Sequence, residues 1–291
     1  MWARIAHDED DVESAEKIIM ILLLMTIGIL IGVVLGLTGA GGSVIAVPLL
    51  LVLLDLEPTT ATGLALGVVA ASSIYGAVQR IWHREVLWIP AILFGFSGAL
   101  LAPLGRVLAK LVSPQLLVSS FAVLSVVIAA RMLWQSIRQP EQSSVVRAST
   151  SAGSEANEAL LCRLSENSKF DWRFRCMAGL TLGGVLTGIF SGFFGVGGGF
   201  LIVPFLNQLN SVSMRNAVAT SLVIIATISS SGFLAHLVTQ TVNWYQLAWL
   251  CIGGITGMIL GSVLARWIAG VYLQRIFAAT IMIMTSLLII R

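Results

Sequence analysis

Apolar runs follow one another along almost the whole of this 291-residue chain, at approximately 18–37, 59–78, 86–104, 116–133, 177–190, 217–238, 244–264 and 272–290. A helix needs about 20 residues to cross the hydrocarbon core of a bilayer, and only structures that satisfy their own backbone groups can sit there. The chain is therefore read as an all-α polytopic membrane protein. A hydrophobic fraction of 57%, a charged fraction of 11% and a mean hydropathy of +0.94 exclude an ordinary soluble domain. Residues 1–17 form an acidic segment that includes Asp8, Glu9, Asp10, Asp11, Glu13 and Glu16. That charge is opposite to the basic start of a secretory signal.

Two further runs, 44–54 and 200–206, are too short to cross alone, and each follows a glycine cluster. They are read as half-helices or tilted short helices that resume after an unwound break. The two regions are copies of each other. GLTGAGGSVIAVPLL at 36–50 returns as GIFSGFFGVGGGFLIVPFL at 188–206, so that Gly39, Gly41, Gly42, Val47 and Pro48 fall on Gly195, Gly197, Gly198, Val203 and Pro204. ATGLAL at 61–66 answers ATSLVI at 219–224, and GFSGALLAPLGRVLA from Gly95 answers the segment around Gly254–Trp267. The domain reading is an N-terminal segment 1–17, a first transmembrane repeat 18–134, a linker 135–176 and a second repeat 177–291. Gly28, Gly32 and Gly36, Gly179 and Gly183, and Gly257 and Gly261 have the spacing of small-residue helix seams.

The linker is rich in Ser, Glu and Asn and, with its flanks, holds Arg131, Arg138, Arg147, Arg163, Lys169, Arg173 and Arg175. Basic loops face the cytoplasm, which places the linker there. Five segments per half put Arg80, Arg84, Arg215, Arg266 and Arg275 on the same side and make the halves inverted repeats. Four spans per half, with re-entrant short segments, would make them parallel. The inverted arrangement is preferred because it gathers the basic loops. Arg106 and Lys110 violate the pattern.

The spans contain almost no charge, no Asp–Glu–His relay and no pair of carboxylates. Cys162, Cys176 and Cys251 lack metal or disulfide spacing, and His7, His83 and His236 are scattered. No enzyme, cofactor, metal site or nucleic-acid partner is expected. The spans do contain hydroxyls, among them Ser191, Ser229 and the matched Ser43, Thr62, Thr220 and Ser221. Hydroxyls and free N–H groups at a helix start suit an anion. The candidate binding residues are Gly39, Gly41, Gly42, Ser43, Thr62, Gly195, Gly197, Gly198, Gly199, Thr220 and Ser221, with no fixed buried cation among them. His236 is read as a neutral structural residue or a proton-linked switch.

The doubled block G-x-G-G-[GS]-x-x-x-V-P, the Ala-Thr-x-Leu step and the late glycine block of each half resemble the TauE/SafE family of membrane permeases. The resemblance runs from about Gly28 through both halves, and Ala40 and Ser43 dilute the first glycine block. It implies transport of a small sulfur-containing or organic anion. The expected function is secondary transport of sulfite, a sulfonate or a related anion across the inner membrane by alternating access. A proton or sodium ion is the candidate coupling ion, and a homodimer the candidate assembly. An anion channel and a non-transporting assembly or sensor protein remain the alternatives.

Overall fold

The computed structural model describes residues 2–39, 42–54, 56–138, 174–199, 202 and 214–265. Among these every regular element is a helix: α1 (Trp2–Thr38), α2 (Gly42–Leu54), α3 (Pro58–Trp82), α4 (Trp88–Lys110), α5 (Pro114–Arg138), α6 (Phe174–Phe194), α7 (Met214–Thr239) and α8 (Trp244–Leu264). Six are long and apolar enough to cross a membrane: Glu16–Thr38 of α1, α3, α4, Met177–Phe194 of α6, Asn216–Thr239 of α7, and α8. The segments expected at 200–206 and 272–290 lie outside the described residues, apart from Ile202, as does most of the linker.

Helix starts follow local chemistry. Pro58 occupies the first turn of α3, where a missing N–H costs nothing. Asn243 caps α8, its Oδ1 accepting from the N–H groups of Tyr245 at 3.1 Å and Gln246 at 3.3 Å. The short run after the first glycine cluster is the 13-residue α2, buried from Gly42 to Leu51 and continuous through Pro48. It is packed on α1 and α3. At that length it spans only about 20 Å, short of the hydrocarbon core.

α3 and α7 are the central helices. Of their spans 78% and 61% is buried, against 33–44% for the other four. They pack on each other, α1 packs on α8, and α4 packs on α6 and α7. Lipid tails are as apolar as leucine, so close backbone approach holds such helices together. A Cβ at Gly28 would meet the carbonyl of Leu250, at Gly32 that of Gly254 and at Gly36 that of Met258. A Cβ at Gly184 would meet the carbonyl of Phe94, at Gly188 that of Gly98 and at Gly192 that of Ala102. Within each seam the separation in sequence is constant, so the paired helices stay in register along their contact. Of the seam expected from Gly179 and Gly183, a Cβ at Gly179 meets nothing within 4 Å among the described residues, and α6 packs on α4 through Gly184, Gly188 and Gly192. Toward lipid the bundle presents Phe96, Leu100, Val123, Leu182 and Leu234, all exposed.

α4 runs beyond the apolar run 86–104 as far as Lys110, and Arg106 lies within it, 3% exposed. Arg106 is therefore not the out-of-place loop charge that the topology count took it for. It is a cation inside the bundle.

Candidate functional site

Each glycine break begins in the same way. α1 ends at Thr38, and the N–H of Gly39 (φ +70°) donates to the carbonyl of Leu35 at 2.7 Å. α6 ends at Phe194, and the N–H of Gly195 (φ +71°) donates to the carbonyl of Ser191 at 2.8 Å. A glycine in left-handed geometry is the common way to stop a helix. The second break turns left-handed again at Gly197 and Gly198, both at φ +68°. Two such residues in succession would cost L side chains roughly 1–2 kcal/mol each, so the chain uses glycine.

The breaks pack against the central helices of the opposite half. Val218 of α7 fills the space beside Gly39, and Thr62 of α3 fills that beside Gly195. A Cβ at Gly197 would lie 2.6 Å from Ser229 Oγ, 3.2 Å from Val69 and 3.4 Å from the Cβ of Ser43. Gly198 faces Thr187 and Ser191. Gly42 faces away from these groups, against Ile31 and Leu35 of α1. Gly199 is buried with helical geometry, and Gly41 lies outside the described residues. The fold thus gathers Ser43, Thr62, Gly195, Gly197 and Gly198, and adds Ser191 and Ser229. All three serines are fully buried, and the hydroxyls of Ser191 and Ser229 have no hydrogen-bond partner among the described residues. A buried polar atom left unpaired costs about 1–3 kcal/mol, which marks both positions.

The other three hydroxyls have committed their protons to carbonyls. Thr62 donates to Thr59 at 2.8 Å, and Thr220 to Asn216 at 2.7 Å while accepting from the Leu87 N–H at 3.0 Å. Ser221 lies between the carbonyls of Val218 at 2.8 Å and Gly39 at 3.0 Å. In this conformation these three are not the free donors read from the sequence. Ser221 instead ties α7 to the first break.

Arg106 adds what the sequence reading lacked. Its Nη1 donates to Thr62 Oγ1 at 2.9 Å, and its Nη2 to the carbonyl of Thr59 at 3.4 Å and to His236 Nδ1. Its Nε has no partner among the described residues. Its backbone passes Gly192, whose Cβ position is 3.0 Å from Arg106 N, one turn before the second break. Thr62 joins the two features, with its body on Gly195 and its hydroxyl on the guanidinium. The available signal was the violation of the charge pattern at Arg106. His236, 1% exposed, lies where a Cβ at Gly63 would overlap its ring.

The comparisons agree with a transporter architecture. Residues 24–288 match the family described as sulfite exporter TauE/SafE. A probable membrane transporter protein of Xylella fastidiosa strain 9a5c is 32% identical over 246 residues, covering 84% of this chain and 85% of its own. The probable membrane transporter protein YunE of Bacillus subtilis is 24% identical over 84% of this chain and 88% of its own. One from Methanocaldococcus jannaschii is 22% identical over 81% and 80%. No solved structure matches the chain. Six candidate spans, paired glycine breaks and a match over most of its length together make this a multi-pass membrane protein that belongs to the sulfite exporter TauE/SafE family.

Proposed function

We propose that the protein is a secondary transporter for a small anion, such as sulfite, a sulfonate or a related organic anion, and works by alternating access in the inner membrane. One observation carries this reading. The left-handed break Gly195–Gly198 lies inside the bundle, against Ser43 at the start of α2 and the unpartnered hydroxyls of Ser191 and Ser229. Non-helical backbone at membrane depth survives only where protein or a cavity covers it, and paired broken helices are where transporters bind substrate. Hydroxyls and N–H groups donate to oxyanions, whereas a metal cation would need carboxylates. The family's name supports sulfur oxyanions.

The reciprocal packing supports two related halves: α1 of one lies on α8 of the other, and α4 on α6. We read them as inverted repeats with the linker on the cytoplasmic side, rocking about α3 and α7. A proton or sodium ion would couple transport, and the assembly would be a homodimer.

Counter-flow tests this function in proteoliposomes loaded with methanesulfonate or sulfite. External labelled anion should accumulate transiently against its gradient. Flux without trans-stimulation would make the protein a channel, and no flux for either anion would defeat the transport reading.

A further inference from the structure

We propose that Arg106 receives the charge of the transported anion, and that His236 is the neutral partner holding its guanidinium until the anion arrives. The proposal rests on the anion-transport reading above and names the group that reading lacked.

A guanidinium in the interior of a span is costly, and charges kept there face substrate paths or pair with one another. Arg106 is 3% exposed and has no carboxylate within ion-pair distance among the described residues. Its three partners, the Thr62 hydroxyl, the Thr59 carbonyl and His236 Nδ1, are all uncharged. Arginine carries five N–H donors in a planar fork. Three are used, which leaves the Nε–H, shown without a partner, and one Nη1–H for an acceptor. Nε–H shares its edge of the guanidinium with Nη2, so an oxyanion with two oxygens on one centre fits that fork once His236 gives up its Nη2–H, and sulfonate and sulfite are of this kind.

His236 is held in one form by the same geometry. A guanidinium can only donate, so Nδ1 accepts and the ring proton resides on Nε2. α3 makes room for the ring with Gly63, where a Cβ would overlap Nε2. An anion outcompetes a neutral imidazole for a guanidinium because it adds the attraction of a full opposite charge, which the buried site screens less than water does. Exchange of His236 for the anion would therefore neutralise the buried charge at the step when substrate binds.

The charge is present once. Gly192 packs against Arg106 N as Gly36 packs against Ser262 N, so the position in α8 that answers Arg106 is a serine. Lys110, one turn further along α4, is exposed, so among the described residues of the site one buried cation matches one net negative charge. The ligand class is an oxyanion carried as a monoanion.

The test compares methanesulfonate with dimethyl sulfone, a neutral molecule of nearly the same shape, on the full-length protein. Methanesulfonate should raise the unfolding temperature of purified protein and inhibit labelled-sulfite counter-flow, and dimethyl sulfone should do neither. Arg106→Gln should remove both effects and raise KM by about one to two decades, the worth of a charged hydrogen bond. Arg106→Lys keeps the charge without the fork and should recover part of the affinity. His236→Phe removes the acceptor that holds the guanidinium, so methanesulfonate should stabilise this variant more than it stabilises the parent; an unchanged shift in unfolding temperature would overturn the role of His236. If the parent carries methanesulfonate and inserted Arg106→Gln carries it with the same KM, the assignment of Arg106 is wrong while the transport reading stands. If Arg106→Gln does not insert, an unchanged KM in Arg106→Lys overturns the assignment in the same way. If the parent responds to neither anion, both readings fall.

Discussion

Ser221 and Ser229 lie about two turns apart on α7 and have opposite hydrogen-bonding states. The Ser221 hydroxyl reaches the carbonyl of Gly39 at 3.0 Å, across the boundary between halves, while that of Ser229 lies against Gly197 with no partner among the described residues. Alanine should separate them. Ser221→Ala removes a satisfied bond and should lower stability by roughly 0.5–1.5 kcal/mol with anion affinity nearly unchanged. Ser229→Ala removes an unsatisfied hydroxyl, so stability should hold or rise, while methanesulfonate affinity falls by about one to two decades. Thermal unfolding and inhibition of sulfite counter-flow, measured side by side, check both. Equal loss of affinity in the two variants would mean that the hydroxyls act alike. The sequence showed that hydroxyls, and not carboxylates, furnish these spans. It did not show which were spent on carbonyls, because Thr62, Thr220 and Ser221 bond back within their own helices by choice of rotamer, and only Ser221 also reaches the end of a neighbouring helix. Arg106 stood out only as a charge on the wrong side of a count, since nothing local to PLGRVLA says that a helix runs on past Gly105.

At the scale of elements, the glycine seams decide which helix lies on which. A Cβ at Gly32 would overlap the carbonyl of Gly254 and come within 2.7 Å of Met258 N, both of them backbone that cannot swing aside. Gly32→Val should therefore force α1 away from α8 and cost on the order of 1–3 kcal/mol, as overpacking does. Gly179 is the control, because a Cβ there meets nothing within 4 Å among the described residues. Gly179→Ala should be neutral or stabilising by up to about 1 kcal/mol through helix propensity. Unfolding temperature and trypsin resistance in detergent report both, and a Gly32→Val protein as stable as the parent would mean that the seam does not hold α1 to α8. Spacing alone chose Gly179 on α6, which has no neighbour among the described residues. In a glycine-rich run many pairs are four apart, and only the partner face selects Gly184, Gly188 and Gly192. α2 was legible for a firmer reason: a run of 44–54 after a glycine cluster is simply too short to span.

For the whole molecule, the matched blocks led to a reading of two related halves, but did not say which helix of residues 18–134 lies on which helix of residues 177–265. That lies in tertiary contacts: α1 on α8, α4 on α6 and α7, and α3 on α7 and α8. The seam of Gly28, Gly32 and Gly36 and that of Gly184, Gly188 and Gly192 both run between residues 18–134 and residues 177–265, so neither half can close them alone. In a bilayer, where no hydrophobic force drives helices together, a half without its partner loses the packing that holds it. A chain cut inside the linker tests this, with 1–150 and 151–291 produced from separate messages. Produced together, the pieces should co-purify and carry methanesulfonate, because the contacts between halves are numerous and the linker contributes to neither seam. Produced singly, each should insert yet be cleared or cut rapidly by protease, with its glycine faces open to lipid. A first piece that remains protease-resistant on its own would show that its helices have found partners within the half. The reciprocal packing would then be a consequence of tethering by the linker, and a rocking motion of one half against the other would lose its structural basis.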